Sequence, residues 1–231
     1  MNDDISGFQR SCFRDRIFEF SEIREGANGG DFDRLSKLAG VWSEFASFER
    51  QQGNNDQARS HSQTAIKVWE RVLMGDPDNV EYCRKCATDH HNLGTLFLEN
   101  NEFNQAEVSL QRAVELLEKV TTDKPDDQTV CHELSQTISD LGIVAVLTNR
   151  RELAAERFDR AKAICERLVK ENPTNQNFQD AYKKSQLLVR QLEGQGPRSR
   201  TPQSCALLLI LIGVVVTLMC AVATNVLASI D

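Results

Sequence analysis

The chain has 231 residues, of which 40% are apolar and 26% are charged, and this is enough apolar sequence to build a buried core. Its formal net charge is −7, with 34 acidic and 27 basic side chains. The acidic balance gives no basic footprint for nucleic acid, so we expect no nucleic-acid partner. The acidic N-terminus has no apolar run of the kind that a secretory signal contains.

The first predicted element is a helix at residues 8–23, within an N-terminal segment at 1–30. When the chain is aligned with itself at an offset of 48 residues, Ile17 aligns with Ala65. The segment therefore occupies the position of the second helix of an incomplete repeat. We expect residues 1–30 to form a degenerate half-repeat that caps the array.

Three units with a period of 48 residues follow, at 31–78, 79–126 and 127–174. Pro77, Pro125 and Pro173 share one position of the period. Small residues recur at three other positions, and we expect them at helix contacts; they are Ala46, Ala58, Ala65, Gly94, Ala106, Ala113, Gly142, Ala154 and Ala161. The alignment needs no gap, and a fixed period of this kind is typical of a stacked repeat array.

Each unit has the pattern of two helices, A and B. In the second unit, apolar residues at helical spacing predict helix A over 80–99 and helix B over 105–121. The intervening "ENNEFN" favours a turn, and Pro125 stops helix B because proline lacks an N–H and clashes with the preceding turn. Gly94 lies inside helix A, where glycine costs roughly 1 kcal/mol relative to alanine. We expect it there because it lets helix B approach closely. The pattern predicts an all-α solenoid of antiparallel helix pairs.

These positions resemble those of the tetratricopeptide repeat, which follows W-x2-L-G-x2-Y, A-x3-F, A and P. All three units carry matching positions, and those of the second are His90, Leu93, Gly94, Phe97, Ala106, Leu110, Ala113 and Pro125. The unit of 48 residues exceeds the usual ~34, and this long variant resembles bacterial repeat proteins, those of planctomycetes especially. Glu49 and Ala145 depart from the motif, since an aromatic residue is usual there. The resemblance covers about residues 31–193 and implies a tetratricopeptide-like α-solenoid that binds a protein or peptide.

The C-terminal part changes character. Residues 175–193 occupy the helix A position of a fourth unit and have the polar composition of a capping helix, and residues 194–204 are predicted to be a linker. Residues 205–230 contain no charged side chain. Because about 20 apolar residues cross a bilayer as a helix, we expect one transmembrane helix there.

The expected span also sets the localisation. Arg198 and Arg200 precede it, so the positive-inside rule places the N-terminal domain in the cytosol, at the bacterial inner membrane or, in a eukaryote, the endoplasmic reticulum. Gly213, Thr217 and Ala221 form a row of small residues that could support a homodimer of spans.

One cluster has the residue types of a metal site. Cys83, Cys86 and His90 are spaced to share one helix face, as zinc ligands can be. They align with apolar residues of the other units, which favours a core position, and a metal or thiol site is the lesser alternative. No catalytic motif is present, so we expect no enzyme and no cofactor.

The predicted partner surface is the concave face, where the family resemblance places helix A. Its predicted lining lies one turn around from the core: Ser43, Ser47, Arg50, Thr88, His91, Thr95, Leu98, Glu99, Gln136, Ser139, Ile143 and Val146. This mostly uncharged lining favours a neutral extended or helical peptide over a carboxylate terminus. The leading hypothesis is a membrane-tethered scaffold or adaptor. The alternative is a regulatory or assembly subunit that contacts a membrane complex through its span.

Overall fold

The computed structural model describes residues 2–21 and 30–194, with side chains described at 7–21 and 32–194. All regular elements in these ranges are α-helices, which confirms the all-α repeat fold. In chain order they are α1 (Asn2–Ser21), α2 (Gly30–Gln51), α3 (Asn55–Gly75), α4 (Val80–Glu99), α5 (Phe103–Asp123), α6 (Gln128–Leu147), α7 (Arg151–Glu171) and α8 (Gln176–Gly194).

Consecutive helices form the predicted hairpins α2–α3, α4–α5 and α6–α7, which are the A and B helices of the three units. The hairpins stack in order, because α3 contacts α4 and α5 contacts α6. Helix α4 occupies the range expected for helix A, whereas α5 is longer than expected at both ends.

The predicted transmembrane helix at 205–230 lies outside the described residues, as do almost all of the predicted linker and the small residues Gly213, Thr217 and Ala221. Among the helices that the structure describes, none combines the length and the apolar character needed to cross a bilayer.

The start of each later A helix is set by a polar residue two positions after the repeated proline. The Asn79 side chain accepts a hydrogen bond from the Tyr82 amide at 3.1 Å, and Asp127 accepts one from the Val130 amide at 3.1 Å. Asn175 plays the same role for α8. These caps satisfy amides that have no partner inside the helix, so the sequence after each proline defines where the next unit begins.

The turn from helix A to helix B contains one residue in the left-handed region at the same point of every unit. These residues are Gly53 (φ 78°), Asn101 (φ 60°) and Asn149 (φ 59°). Glycine and asparagine are the residues that adopt this conformation most readily. In the second unit the turn lets the Glu102 amide donate to the Phe97 carbonyl at 2.8 Å. The three tight turns therefore follow the 48-residue period.

The A and B helices approach most closely at the small residues. A β-carbon on Gly94 would lie 2.6 Å from Cγ of Leu110, which is closer than packed carbon atoms allow. A β-carbon on Gly142 would clash in the same way with the Phe158 ring. Ala46 at this position in the first unit is 4% exposed. The repeated alanines of the B helices are fully buried; they are Ala58, Ala65, Ala106, Ala113, Ala154 and Ala161.

Helix α1 packs on α2 and covers the open end of the first unit. The Phe13 ring stacks on Phe45 with a centroid distance of 4.9 Å. Arg10 donates two hydrogen bonds to the carboxylate of Glu49, at 2.7 and 3.0 Å, and Glu49 is fully buried. The departure from the aromatic consensus at Glu49 therefore has a structural reason, because the N-terminal helix supplies its counter-charge.

Candidate functional site: the A-helix face

The three A helices form one connected surface. Helix α2 contacts α4 directly, and α4 contacts α6. We call the side of α2, α4 and α6 on which these contacts lie the A-helix face. Its residues come from all three units, so a partner that follows the array can contact each unit in turn.

Polar side chains link neighbouring A helices at equivalent positions. The Ser43 hydroxyl donates to the Asp89 carboxylate at 2.5 Å. One period later, Nδ1 of His91 lies 2.9 Å from the Thr137 hydroxyl. Each link joins one unit to the next, so these side chains fix the spacing of the A helices.

Asp89 is the most deeply placed charge of this network, at 3% exposure. Its carboxylate also accepts a hydrogen bond from the Trp69 indole at 2.8 Å, so it ties together α2, α3 and α4. Burial raises the pKa of Asp89 to about 6, and the hydrogen bonds from Ser43 and Trp69 oppose this shift only in part. The first inter-unit contact therefore contains a carboxylate that gains a proton in mildly acidic solution.

His91 is the corresponding group at the second contact. Its Nε2 lies 3.5 Å from the Asp140 carboxylate, and its side chain is 24% exposed. Burial lowers the pKa of His91, and the charge of Asp140 opposes this without reversing it. The imidazole is therefore neutral at pH 7 and can act as both donor and acceptor.

The charged residues of the face neutralise each other across unit boundaries. Arg50 donates to the Glu99 carboxylate at 2.5 Å and to the Thr95 hydroxyl at 3.2 Å. Arg84 forms a two-pronged pair with Glu133, with its shorter contact at 2.7 Å. Because each guanidinium faces a carboxylate, the face presents no concentrated positive charge to an acidic terminus.

The structure places the predicted lining residues at three depths. The exposed ones are Ser47, Thr88, Glu99 and Gln136. The half-buried ones are Ser43, Arg50, His91, Leu98 and Val146. The buried ones are Thr95, Ser139 and Ile143, at 6%, 6% and 2% exposure. These last three are too buried to touch a partner, so only the exposed and half-buried positions stay candidates for contact.

The linking residues Asp89, Thr137 and Asp140 escaped the sequence reasoning. Asp89 aligns with Val41 and Thr137, so the three units carry an apolar, an acidic and a hydroxyl side chain at this position and no single residue type repeats. The sequence indicates these links only through polar residues at Asp89 and Thr137, one period apart on helices with many apolar residues.

The cysteine cluster lies in the core. Cys83 and Cys86 are each 1% exposed, and His90 is 8% exposed. Burial raises the pKa of Cys86 to about 12, which keeps its thiol protonated and unreactive. Over the residues that the structure describes, no three His, Cys, Asp or Glu side chains are grouped to hold a metal ion.

Comparison with known proteins agrees with this architecture. Residues 37–119 match the family model of the tetratricopeptide repeat, which supports the family that the sequence motif indicates. The match covers most of the first two units. No curated protein is significantly similar in sequence to this chain. The narrower resemblance to planctomycete repeats stays a prediction.

Two solved structures share the fold. BtubC from P. vanneervenii superimposes with a TM-score of 0.55 at 17% identity, covering 87% of this chain and 79% of its own. Yeast histone chaperone Hif1, described as a scaffold protein recruiting protein complexes to core histones, gives a TM-score of 0.54 at 12% identity, with 82% and 92% covered. At such low identity these likenesses show the fold alone.

Proposed function

We propose that this protein is a scaffold that binds a protein or peptide along the A-helix face and holds it at the cytosolic side of a membrane. The observation that carries the proposal is the connected A-helix face, on which each unit exposes an uncharged polar side chain. Ser47, Thr88 and Gln136 supply these groups in units one to three. The role requires no chemistry beyond binding.

The partner chemistry follows from the charge pattern of the face. Arg50 is paired with Glu99 and Arg84 with Glu133, and the other exposed groups of the predicted lining are two hydroxyls and an amide. Hydroxyl and amide groups suit the backbone and neutral side chains of an extended or helical peptide. Hydrogen bonds between units keep the face rigid before a partner binds, and this reduces the conformational entropy lost on binding.

Membrane attachment rests on the apolar run at 205–230. Such a run is long enough to span a bilayer as a helix. The linker at 194–204 reaches at most about 35 Å when fully extended, so the repeats would stay near the bilayer. A partner held on the A-helix face would then be concentrated at the membrane surface.

Arginine substitutions test the binding face. The triple variant Ser47→Arg, Thr88→Arg and Gln136→Arg adds bulk and charge at exposed positions without disturbing the core. The matched control is Ser60→Arg, Gln111→Arg and Thr122→Arg, which changes the same residue types at exposed positions of B helices. In a crosslinking pull-down from native membranes, the first variant should lose the proteins captured by the wild type, and the control should keep them. Equal capture by both variants would rule out the A-helix face.

Two changes to the C-terminal segment separate the scaffold from a subunit that is held through its span. Deleting 205–231 should release the protein from membranes while leaving partner capture in detergent extracts intact. Replacing 205–230 by a leucine run of equal length removes the small-residue row of Gly213, Thr217 and Ala221. This variant should keep both membrane attachment and partner capture. If the leucine run restores attachment but not capture, the span itself is the contact, either with a complex or with a second copy.

A further inference from the structure

Two ion pairs join consecutive units at the same positions of the repeat. Arg59 of α3 donates to the carboxylate of Glu102, in the A–B turn of the second unit, at 2.8 Å. One period later, Arg150, in the A–B turn of the third unit, donates to Glu107 of α5 at 2.6 and 2.9 Å. Arg59 aligns with Glu107, and Glu102 aligns with Arg150. The second pair is therefore the first pair with its charges exchanged.

Both pairs act between units. The partners of each pair are 43 residues apart along the chain, so neither pair stabilises a single helix or a single hairpin. The four side chains are between 26% and 39% exposed, and partly exposed ion pairs contribute little to stability. Their larger effect is on specificity, because like charges brought together at the same contact repel each other.

The exchange of charges distinguishes the correct neighbour of each unit from the wrong ones. If the third unit packed on the first, Arg59 would face Arg150. If the second unit packed on the second unit of another copy, Glu107 would face Glu102. The remaining wrong arrangements bring an asparagine or an alanine to the contact, so no ion pair forms. Among the three described units, opposite charges therefore meet at this contact only in the native order.

A second ion pair at each boundary is also specific to that boundary. Arg50 pairs with Glu99 at the first boundary, and two leucines occupy the equivalent positions at the second. Arg84 pairs with Glu133 at the second boundary, and a serine and a lysine occupy the equivalent positions at the first. The hydrogen-bonded links between A helices join hydroxyl, carboxylate and imidazole groups, which can pair in several combinations. The charged pairs therefore distinguish the boundaries more sharply than these links do.

We propose that the charge exchange between the two boundaries fixes the order of the units and prevents units of different copies from stacking on one another. The units share their small and apolar core positions, so apolar packing alone permits a unit of one copy to replace that of another. A wrong contact opposes like charges or leaves partly buried charges unpaired, and this selects the native neighbour. The proposal depends neither on binding at the A-helix face nor on membrane attachment.

A double-mutant cycle at the first boundary tests whether the pair acts between units. Arg59→Glu alone sets two carboxylates against each other and should lower the urea midpoint of the full chain in an uncharged detergent. Adding Glu102→Arg restores opposite charges and should recover part of the loss. Arg71→Glu, at an exposed position of the same helix, is the control and should show no such recovery with Glu102→Arg. Equal behaviour of the two cycles would overturn the proposal.

The double variant also tests the order of the units, because it gives both boundaries the same arrangement of charges. Copies labelled at the N-terminus with a donor or an acceptor fluorophore are mixed, unfolded in urea and refolded together in the detergent. Energy transfer between copies should be at least about threefold more frequent for Arg59→Glu with Glu102→Arg than for the wild type.

A quadruple variant provides the matched control for this exchange. Adding Glu107→Arg and Arg150→Glu to the double variant makes the two boundaries opposite again, so energy transfer should return to the wild-type level. Arg157 lies 3.3 Å from Glu107, so this variant should be less stable without a change in which units pair. Equal transfer in the double variant and the wild type, or transfer that stays raised in the quadruple variant, would contradict the proposal.

Discussion

The two contacts between neighbouring A helices use the same positions of the repeat but opposite acid–base chemistry. Between α2 and α4, a buried carboxylate, Asp89, has a raised pKa. Between α4 and α6, an imidazole, His91, has a lowered pKa. In both cases burial is the main cause. Small and apolar residues therefore define the stack, whereas the polar residues between units vary and give each contact its own response to pH.

The largest expected effect comes from removing the common feature of the units, the close approach of helices A and B. Gly94→Leu should destabilise the second unit by about 3 kcal/mol or more, because its β-carbon alone would overlap Leu110. Chemical denaturation monitored by circular dichroism measures the change.

Gly40 provides the control for this effect. It lies in α2, and an added β-carbon would meet no atom within 4 Å. Gly40→Ala should therefore stabilise the protein by up to about 1 kcal/mol through helix propensity. If the Gly94→Leu variant is as stable as the wild type, Gly94 is not needed for the close packing of the two helices.

The second prediction concerns the first inter-unit contact. A carboxyl whose pKa is higher in the folded protein binds its proton more tightly there, so its contribution makes the protein more stable as the pH falls from about 6 towards 4. Asp89→Asn removes this contribution. The variant should be more stable than the wild type above pH 7, by up to about 3 kcal/mol, and the difference should shrink below pH 5. Urea unfolding at a series of pH values gives both curves.

The third prediction concerns the second contact and has the opposite sign. When the pKa of a histidine is lower in the folded protein, protonation of that histidine destabilises the fold. Its contribution to the free energy of unfolding is therefore present above the unfolded pKa near 6.5 and is lost as the pH falls below that value. His91→Gln keeps a hydrogen-bonding side chain without this titration. Stability of the variant relative to the wild type should therefore rise on acidification. Parallel slopes for His91→Gln and Asp89→Asn would contradict the contrast between the contacts.

The most local effect is expected at the N-terminal cap. Arg10→Met leaves the buried Glu49 carboxylate without its strongest partner, while Asn54 still donates to it at 2.6 Å. The arginine pair lowers the pKa of Glu49, so the stability it contributes is present above the unfolded pKa near 4.5 and is lost as the pH falls. Faster amide exchange in α1 and α2 at pH 7, with unchanged exchange in α6, would show that the effect is local.

The regular part of the fold could be predicted because its causes repeat. The prolines, the caps that follow them and the small residues recur every 48 residues, so one unit supports the next. Helix α4 was predicted over its full range for this reason. The left-handed turn residues Gly53, Asn101 and Asn149 follow the same period, although only the presence of a turn was predicted.

The partner surface was harder to predict because a stacked helix is covered on more than one side. Thr95, Ser139 and Ile143 lie one turn from the predicted core positions of their own helices, yet they are buried in the structure. Sequence spacing gives the orientation of a residue on its own helix and says nothing about the distance to the next unit. The pairing of Ser43 with Asp89 depends on that distance.

The most direct test of the A-helix face uses a photo-crosslinking amino acid at single positions in native membranes. Thr88 lies at the centre of the face on α4, and Thr122 is another exposed threonine, on α5. Crosslinking from position 88 should yield a discrete adduct with another protein, whereas position 122 should not yield that adduct. The same adduct from both positions, or an adduct from 122 alone, would contradict binding along the A-helix face.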